Sequence, residues 1–154
     1  MSDYENNECE GEDYENPLLT ATSEGDEEKV KQLLAMNIYN IDEGDEDGST
    51  PLINACAGDY RSAKIAELLI KAGANVNIAD CNGNTPLIYV AENGMINIAR
   101  LLISHKADVN HINNDCETAI LVAHNNENCE TVRLLYKNGA YDDIINEYDE
   151  KFFE

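Results

Sequence analysis

The residues that could carry out chemistry are three histidines, five cysteines and one run of carboxylates. His124 and Cys129 resemble a pair of metal ligands, but no second pair completes a tetrahedral site. Residues 42–47 (Asp-Glu-Gly-Asp-Glu-Asp) are acidic enough to suggest calcium, yet they lack the ligand order of an EF-hand loop. No base lies beside Cys81 or Cys116 to activate a thiol. We therefore predict no catalytic residue, no metal site and no cofactor.

Charge is concentrated at the two ends of the chain. The 154 residues include 31 acidic and 10 basic side chains, a net charge of −21. Residues 1–47 carry a net charge of −14 and residues 142–154 carry −5, so the middle is nearly neutral. Such a chain is repelled by phosphate backbones and anionic lipid, and we predict no nucleic-acid or membrane partner. Residues 1–12 are predicted to be a flexible acidic tail.

The sequence also indicates a compartment. No apolar run approaches the ~20 residues of a membrane-spanning helix, and the first residues are acidic where a signal peptide is basic and then apolar. The five cysteines are odd in number and form no CxxC pair. These features favour a reducing compartment. We expect a cytoplasmic protein, or a nuclear one through its partner, that is not secreted by a signal peptide.

The chain contains an internal repeat. Residues 85–88 (Thr-Pro-Leu-Ile) occur 35 positions earlier at 50–53 and, as Thr-Ala-Ile-Leu, 33 positions later at 118–121. An earlier copy begins at Asn16-Pro17-Leu18. A polar residue before proline is typical of a helix N-cap, and Gly25 or Gly94 is suited to end that short helix. A second helix with apolar residues at i, i+3 and i+4 follows, so each unit is predicted to be all-α.

At these motifs the sequence resembles the ankyrin repeat, with its Thr-Pro-Leu core and Gly-Ala-Asp-Val-Asn tail. The resemblance implies an all-α solenoid of stacked helix pairs joined by β-turn hairpin loops, in a right-handed, slightly curved stack. The repeats are predicted to cover residues 13–44, 45–79, 80–112 and 113–143. Residues 144–154 are predicted to cap the last repeat, because Ile144, Ile145, Phe152 and Phe153 can cover its open apolar face.

Four departures from the family pattern affect local structure. The histidine usual after Thr-Pro-Leu is apolar in every copy, and two extra residues occur around residues 59–61. Lys106 replaces a terminal glycine, at a cost of about 1 kcal/mol if its φ is positive. The fourth repeat lacks two glycines, at Cys116 and Glu127, and has Ala119 for proline. We therefore predict that the fourth repeat is degenerate.

The resemblance further implies that partners bind on the concave face formed by loop tips and inner helices. There the sequence is acidic and rich in asparagine, with tyrosines as aromatic anchors. Tyr89 has an alternative role, filling the groove between inner helices. The histidines are interpreted as surface side chains. The candidate partner-binding residues are Glu46, Asp47, Ser49, Asp59, Tyr60, Asn82, Asn84, Tyr89, Glu92, Asn93, Asn114, Asp115, Glu117 and Asn125.

Two functions remain open at this point. The first is a non-catalytic protein-interaction module, monomeric by itself, that docks a partner with a basic surface or segment. The second is an acidic inhibitor or decoy that blocks the nucleic-acid-binding site of a basic protein. An enzyme is disfavoured because nothing pairs a nucleophile with a base. Asn110 lies in a context similar to hydroxylated ankyrin asparagines, and its other interpretation is that it stabilises the turn.

Overall fold

The computed structural model describes residues 16–59 and 61–141, which form eight α-helices in four consecutive pairs. Each first helix has 7 residues, and each second helix has 9 or 10. The described residues contain no β-strand, only an isolated antiparallel bridge between Ile112 and Thr118. The predicted all-α repeat architecture is confirmed. The helices are α1 Pro17–Ser23, α2 Glu27–Met36, α3 Pro51–Ala57, α4 Ala63–Lys71, α5 Pro86–Glu92, α6 Ile96–Ser104, α7 Ala119–Asn125 and α8 Cys129–Lys137.

Each first helix begins after a polar capping residue. Asn16, Thr50 and Thr118 accept hydrogen bonds from the second or third backbone N–H that follows, at 3.0, 3.2 and 3.3 Å. Thr85 occupies the equivalent position, but its hydroxyl is buried and has no hydrogen-bond partner among the described residues. The predicted side-chain cap is therefore confirmed for three first helices and is wrong for α5.

The apolar core runs along the stack between the two rows of helices. Each first helix buries one alanine completely, at Ala21, Ala55, Ala91 and Ala123. Because alanine is small, consecutive first helices pack more closely than consecutive second helices do. The second helices contribute larger buried side chains, among them Val30, Ile65, Ile98 and Val132. Cys56 is fully buried in this core, where burial raises the pKa of its thiol.

The fourth repeat keeps the backbone of the third although it lacks its glycines. Cys116 has φ +62° where Gly83 has +77°, and Glu127 has φ +59° where Gly94 has +65°. Lys106 also has a positive φ, +69°. A left-handed conformation costs a side-chain-bearing residue roughly 1–2 kcal/mol. The degenerate repeat is therefore folded, with strain at two positions.

Several expectations fall outside the described residues: the flexible tail at 1–12, Tyr60, and the capping segment at 144–154. The predicted repeat boundaries each enclose one helix pair and remain a prediction. Within residues 16–59 and 61–141, none of the helices is long and apolar enough to cross a membrane.

Candidate protein-docking face

Each loop between repeats folds around one acidic or amide side chain. Asp45 Oδ1 accepts hydrogen bonds from the backbone N–H groups of Asp47 and Ser49, at 3.0 and 2.9 Å. Asp80 and Asn113 accept the equivalent pairs in the next two loops, at 2.8–3.0 Å. These three residues fix the loop tips, and sequence reasoning missed them. The available signal was that each of them lies five positions before the N-cap threonine of its repeat.

Neighbouring loop tips are hydrogen-bonded to each other. The backbone N–H of Cys81 donates to the carbonyl of Asp47 at 2.8 Å, and that of Asn114 donates to the carbonyl of Asn82 at 3.0 Å. The side-chain amide of Asn114 adds a bond to the Cys81 carbonyl at 2.9 Å. The three tips, residues 45–49, 80–84 and 113–117, therefore form one continuous edge. We call these tips together with the exposed sides of the first helices the docking face.

The structure divides the predicted partner-binding residues into two groups, and Tyr60 lies outside the described residues. The first group is exposed: Glu46, Asp47, Asp59, Asn82, Glu92, Asn114, Asp115 and Asn125. The second group is half-buried: Ser49, Asn84, Tyr89, Asn93 and Glu117. Their binding role remains a prediction.

Tyr89 connects the first helix α5 to its loop tip. Its hydroxyl donates a hydrogen bond to Asp80 Oδ2 at 2.6 Å, while the ring packs against the core. Burial, followed by the hydrogen bond to Asp80, raises the pKa of Tyr89. The other oxygen of the same carboxylate holds the loop tip. Tyr89 thus has a structural role in connecting α5 to its loop tip, while filling of the groove between inner helices and partner binding both remain predictions.

Asn93 turns its amide toward the neighbouring repeat. Its Nδ2 donates to the Cys56 carbonyl at 3.1 Å and satisfies the C-terminal end of α3. Asn128 does the same for α5, donating to the carbonyls of Ala91 and Glu92 at 2.9 Å each. Sequence reasoning missed Asn128. An asparagine directly before a helix normally caps that helix, whereas Asn128 makes no such cap on α8 and bonds to the adjacent repeat instead.

Lysine and arginine side chains lie off the docking face, whereas carboxylates occur on both sides of the stack. No lysine or arginine occurs in the three loop tips or on the first helices of the described chain. Arg61 lies in the loop after α3, and Lys106 follows the end of α6. The remaining seven lie on second helices: Lys29, Lys31, Lys64, Lys71, Arg100, Arg133 and Lys137. No lysine or arginine therefore offsets the carboxylates of the docking face.

Groups for catalysis or metal binding do not converge on this face. Among residues 16–59 and 61–141, no three His, Cys, Asp or Glu side chains lie close enough to hold a metal ion. Cys81, Cys116 and Cys129 are exposed free thiols. The prediction of surface histidines is confirmed for His105, and His111 and His124 are half-buried. Nε2 of His111 lies 2.9 Å from the Gly83 carbonyl oxygen.

Comparison of the sequence with known protein families also finds a repeat. Residues 2–80 and 60–146 match the family model described as ankyrin repeats in three copies. The chain belongs to the ankyrin repeat family. The structure resolves four ankyrin helix pairs in the described residues, the fourth being the degenerate one.

Curated relatives include the putative E3 ubiquitin-protein ligase XBAT34 of Arabidopsis thaliana, 38% identical over 93 residues, or 59% of this chain and 24% of that protein. The ankyrin repeat and KH domain-containing protein mask-1 of Caenorhabditis elegans is 38% identical over 61% of this chain and 4% of its own length. The human transient receptor potential cation channel subfamily A member 1 is 31% identical over 80% and 11%. The chain therefore spans a quarter or less of these relatives.

Membership of the ankyrin repeat family indicates the general role of the chain. Ankyrin repeats are in general non-catalytic, and stacked repeats present a long concave surface for binding other proteins. This chain is accordingly a protein-interaction module. Which partner an ankyrin surface selects depends on the side chains at its tips and first helices.

Proposed function

We propose that this ankyrin protein docks a basic segment or basic surface of another protein on its docking face. The observation that carries the proposal is the segregation of charge. The loop tips and first helices present carboxylates at Glu46, Asp47, Glu92, Asp115 and Glu117 without a lysine or arginine among them. A surface of one sign over several repeats attracts a cationic partner and accelerates encounter.

Aromatic side chains supply the longer-lived part of the contact in this proposal. Tyr89 sits near the middle of the docking face, where its position is fixed by Asp80. Tyr60 precedes the exposed Arg61 and is the second anchor by sequence. Buried aromatic contacts control dissociation more than association, whereas exposed charges do the reverse. The proposed complex therefore forms faster at low salt and dissociates slowly through its tyrosines.

The proposal also defines what the protein does by itself. It is a monomer without catalytic activity, it contacts neither nucleic acid nor membrane, and it works in the cytoplasm or in the nucleus when its partner is there. The net charge of −21 supports this assignment because it opposes both self-association and contact with polyanions.

A matched pair of variants tests the docking face. Partners are captured on the immobilised full chain from an extract of the source organism at low and high salt, and their affinities are then measured with purified proteins. The Glu46→Gln/Asp115→Asn double variant should bind the identified basic partner about threefold to tenfold more weakly, because rim charges contribute modestly. The control Glu28→Gln/Glu130→Gln removes two exposed charges from second helices and should bind normally. Equal losses in both variants would refute the assignment.

The second candidate, an acidic decoy for a nucleic-acid site, is supported by the net charge of −14 in residues 1–47. In this alternative, the acidic residues of 1–47 themselves occupy the nucleic-acid-binding site of the basic target. A variant without residues 1–15 should then lose most inhibition of its basic target, and added DNA or RNA should compete with the chain. If inhibition is indifferent to the deletion and to salt, the decoy function is discarded.

A further inference from the structure

The basic side chains of the structure fall into two classes along the chain. Every described one before residue 72 has a carboxylate partner, as with Lys64 and Glu67 at 2.9 Å and Arg61 and Asp59 at 3.8 Å. Lys71 shares Glu67 with Lys64, and Lys31 lies 2.7 Å from Glu27. Each of these basic side chains is thus neutralised by a carboxylate of its own repeat.

The four described cations from Arg100 onward have no such partner among residues 16–59 and 61–141. Arg100, Lys106, Arg133 and Lys137 form no ion pair with any described residue, and all four are exposed. Arg100 on α6 and Arg133 on α8 occupy the same position in consecutive repeats, since each is the fifth residue of its helix. Lys137 follows Arg133 by one helical turn. Arg100, Arg133 and Lys137 together form what we call the cationic stripe.

The sequence offers a complementary segment at the same end of the molecule. Residues 142–154 contain six acidic residues and one lysine. Their starting point is fixed beside the fourth repeat, because the backbone N–H of Tyr141 donates to Asn110 Oδ1 at 3.0 Å. Thirteen residues reach up to about 45 Å when extended, whereas packed helices such as α6 and α8 lie about 10 Å apart. The tether therefore reaches every residue of the stripe.

We propose that residues 142–154 dock on the cationic stripe of the same molecule. Tethering gives the segment an effective concentration in the millimolar range. At that concentration, several weak ion pairs together can hold it on the stripe. The docking face repels the segment, whereas the stripe, whose Lys137 is four residues before Tyr141, attracts it. Docking there masks the unpaired cations and keeps the acidic segment off the face proposed for a basic partner. The competing arrangements are a second copy or a separate acidic partner on the stripe, and the predicted cap, in which residues 144–154 cover the apolar face of the fourth repeat instead.

Zero-length cross-linking of the full chain distinguishes these occupants. A carbodiimide joins a lysine amine to a carboxylate in direct contact and takes up the water released by amide formation. We expect cross-links from Lys137, the lysine of the stripe, to carboxylates of residues 147–154 within monomers, alongside the positive control of Lys64 or Lys71 to Glu67. The proposal is overturned if the control links form while those to residues 147–154 are missing or occur only between two chains.

Hydrogen exchange measured on the same residues provides an independent readout. In the Arg133→Gln/Lys137→Gln variant, amides of residues 142–154 should exchange about threefold faster or more, as expected from losing exposed ion pairs. The control Lys64→Gln/Lys71→Gln also removes two second-helix cations and should leave that exchange unchanged. Both variants alter exposed side chains, and circular dichroism verifies that they fold. Equal exchange in the wild type and the Arg133/Lys137 variant refutes docking on the stripe.

Discussion

The side-chain amide of Asn77 donates a hydrogen bond to the backbone carbonyl of Lys106 at 3.0 Å. Its oxygen accepts another from the N–H of Asp108 at 2.8 Å, so one side chain joins two repeats. Asn110 makes the same two bonds to Gly139 and Tyr141, at 3.1 and 3.0 Å. The side chain of Asn110 therefore connects its repeat to residues 139–141, and stabilisation of its own turn stays a prediction. Whether it is hydroxylated stays a prediction of the family resemblance alone.

The first repeat carries an incomplete version of this connection, and completing it should stabilise the protein. Asp42 occupies the position of Asn77 and accepts from the N–H of Asn75 at 2.8 Å, but a carboxylate has no hydrogen to donate to the Gly73 carbonyl. We expect Asp42→Asn to raise the free energy of unfolding by about 0.5 kcal/mol and Asn77→Asp to lower it by about 1 kcal/mol. Urea denaturation measures both free energies of unfolding. An Asp42→Asn variant less stable than the wild type would contradict the equivalence of Asp42 and Asn77.

The glycine positions of the third repeat should tolerate a side chain less well than the equivalent positions of the fourth repeat, where Cys116 and Glu127 replace glycine. A Cβ added at Gly83 would lie 2.8 Å from Asn114 Oδ1, and one at Gly94 would lie 2.7 Å from Asn128 Oδ1. Within the described residues no further repeat presses on Cys116 or Glu127. We expect Gly83→Ala to destabilise the protein by about 2 kcal/mol and Cys116→Gly to stabilise it by about 1 kcal/mol.

Thermal unfolding of the two variants tests this prediction, with Glu127→Gly as a second stabilising change. The order of stability should be Cys116→Gly above the wild type and Gly83→Ala below it. If Cys116→Gly melts below the wild type, left-handed strain at this position is not what limits the stability of the last repeat.

Most of the fold could be predicted from the sequence because the repeat is local. Helix caps, alanines at the first-helix contact and positive φ at Gly94 all follow from residue types at fixed spacing. The failures involve contacts between repeats. Asn128 bonds to α5 instead of capping α8, and His111 approaches the Gly83 carbonyl of the preceding loop. Such partners belong to the neighbouring repeat, and only the stacked geometry brings them together.

The candidate site was predictable only as a surface. The exposed residues at the tips, such as Glu46 and Asp115, follow from their register in the repeat. The hydrogen bond between Tyr89 and Asp80 does not, because nothing in the spacing of the two residues distinguishes a phenol that stabilises a loop from one that awaits a partner.

Acid should titrate one surface ion cluster in a recognisable way. Hydrogen bonds from Lys71 and then Lys64 lower the pKa of Glu67 to about 2. A carboxylate with a lowered pKa stabilises the fold above its unfolded pKa, and this contribution is lost as the pH falls toward its folded pKa. The stability difference between the wild type and Glu67→Gln should therefore shrink between pH about 4.5 and about 2. Carboxyl-carbon NMR checks the titration directly, and Lys71→Gln should raise the pKa of Glu67. An unchanged pKa in that variant would remove Lys71 as the cause.

Two substitutions of Tyr89 separate its structural role from its proposed binding role. Tyr89→Phe removes the hydrogen bond to Asp80 but keeps the ring, so we expect a loss of about 1 kcal/mol in stability and nearly unchanged partner affinity. Because the pKa of Tyr89 is raised in the fold, this stability is present at neutral pH and is lost as the pH rises from the unfolded pKa of tyrosine through the folded one. The stability gap between wild type and Tyr89→Phe should therefore narrow at alkaline pH. Tyr89→Ala removes the ring as well and should weaken the complex by about tenfold or more. Calorimetric titration of the partner into each variant, with unfolding followed in parallel, gives both quantities. An alanine variant that binds as tightly as the wild type would limit Tyr89 to holding its loop and leave the docking face with its charges alone.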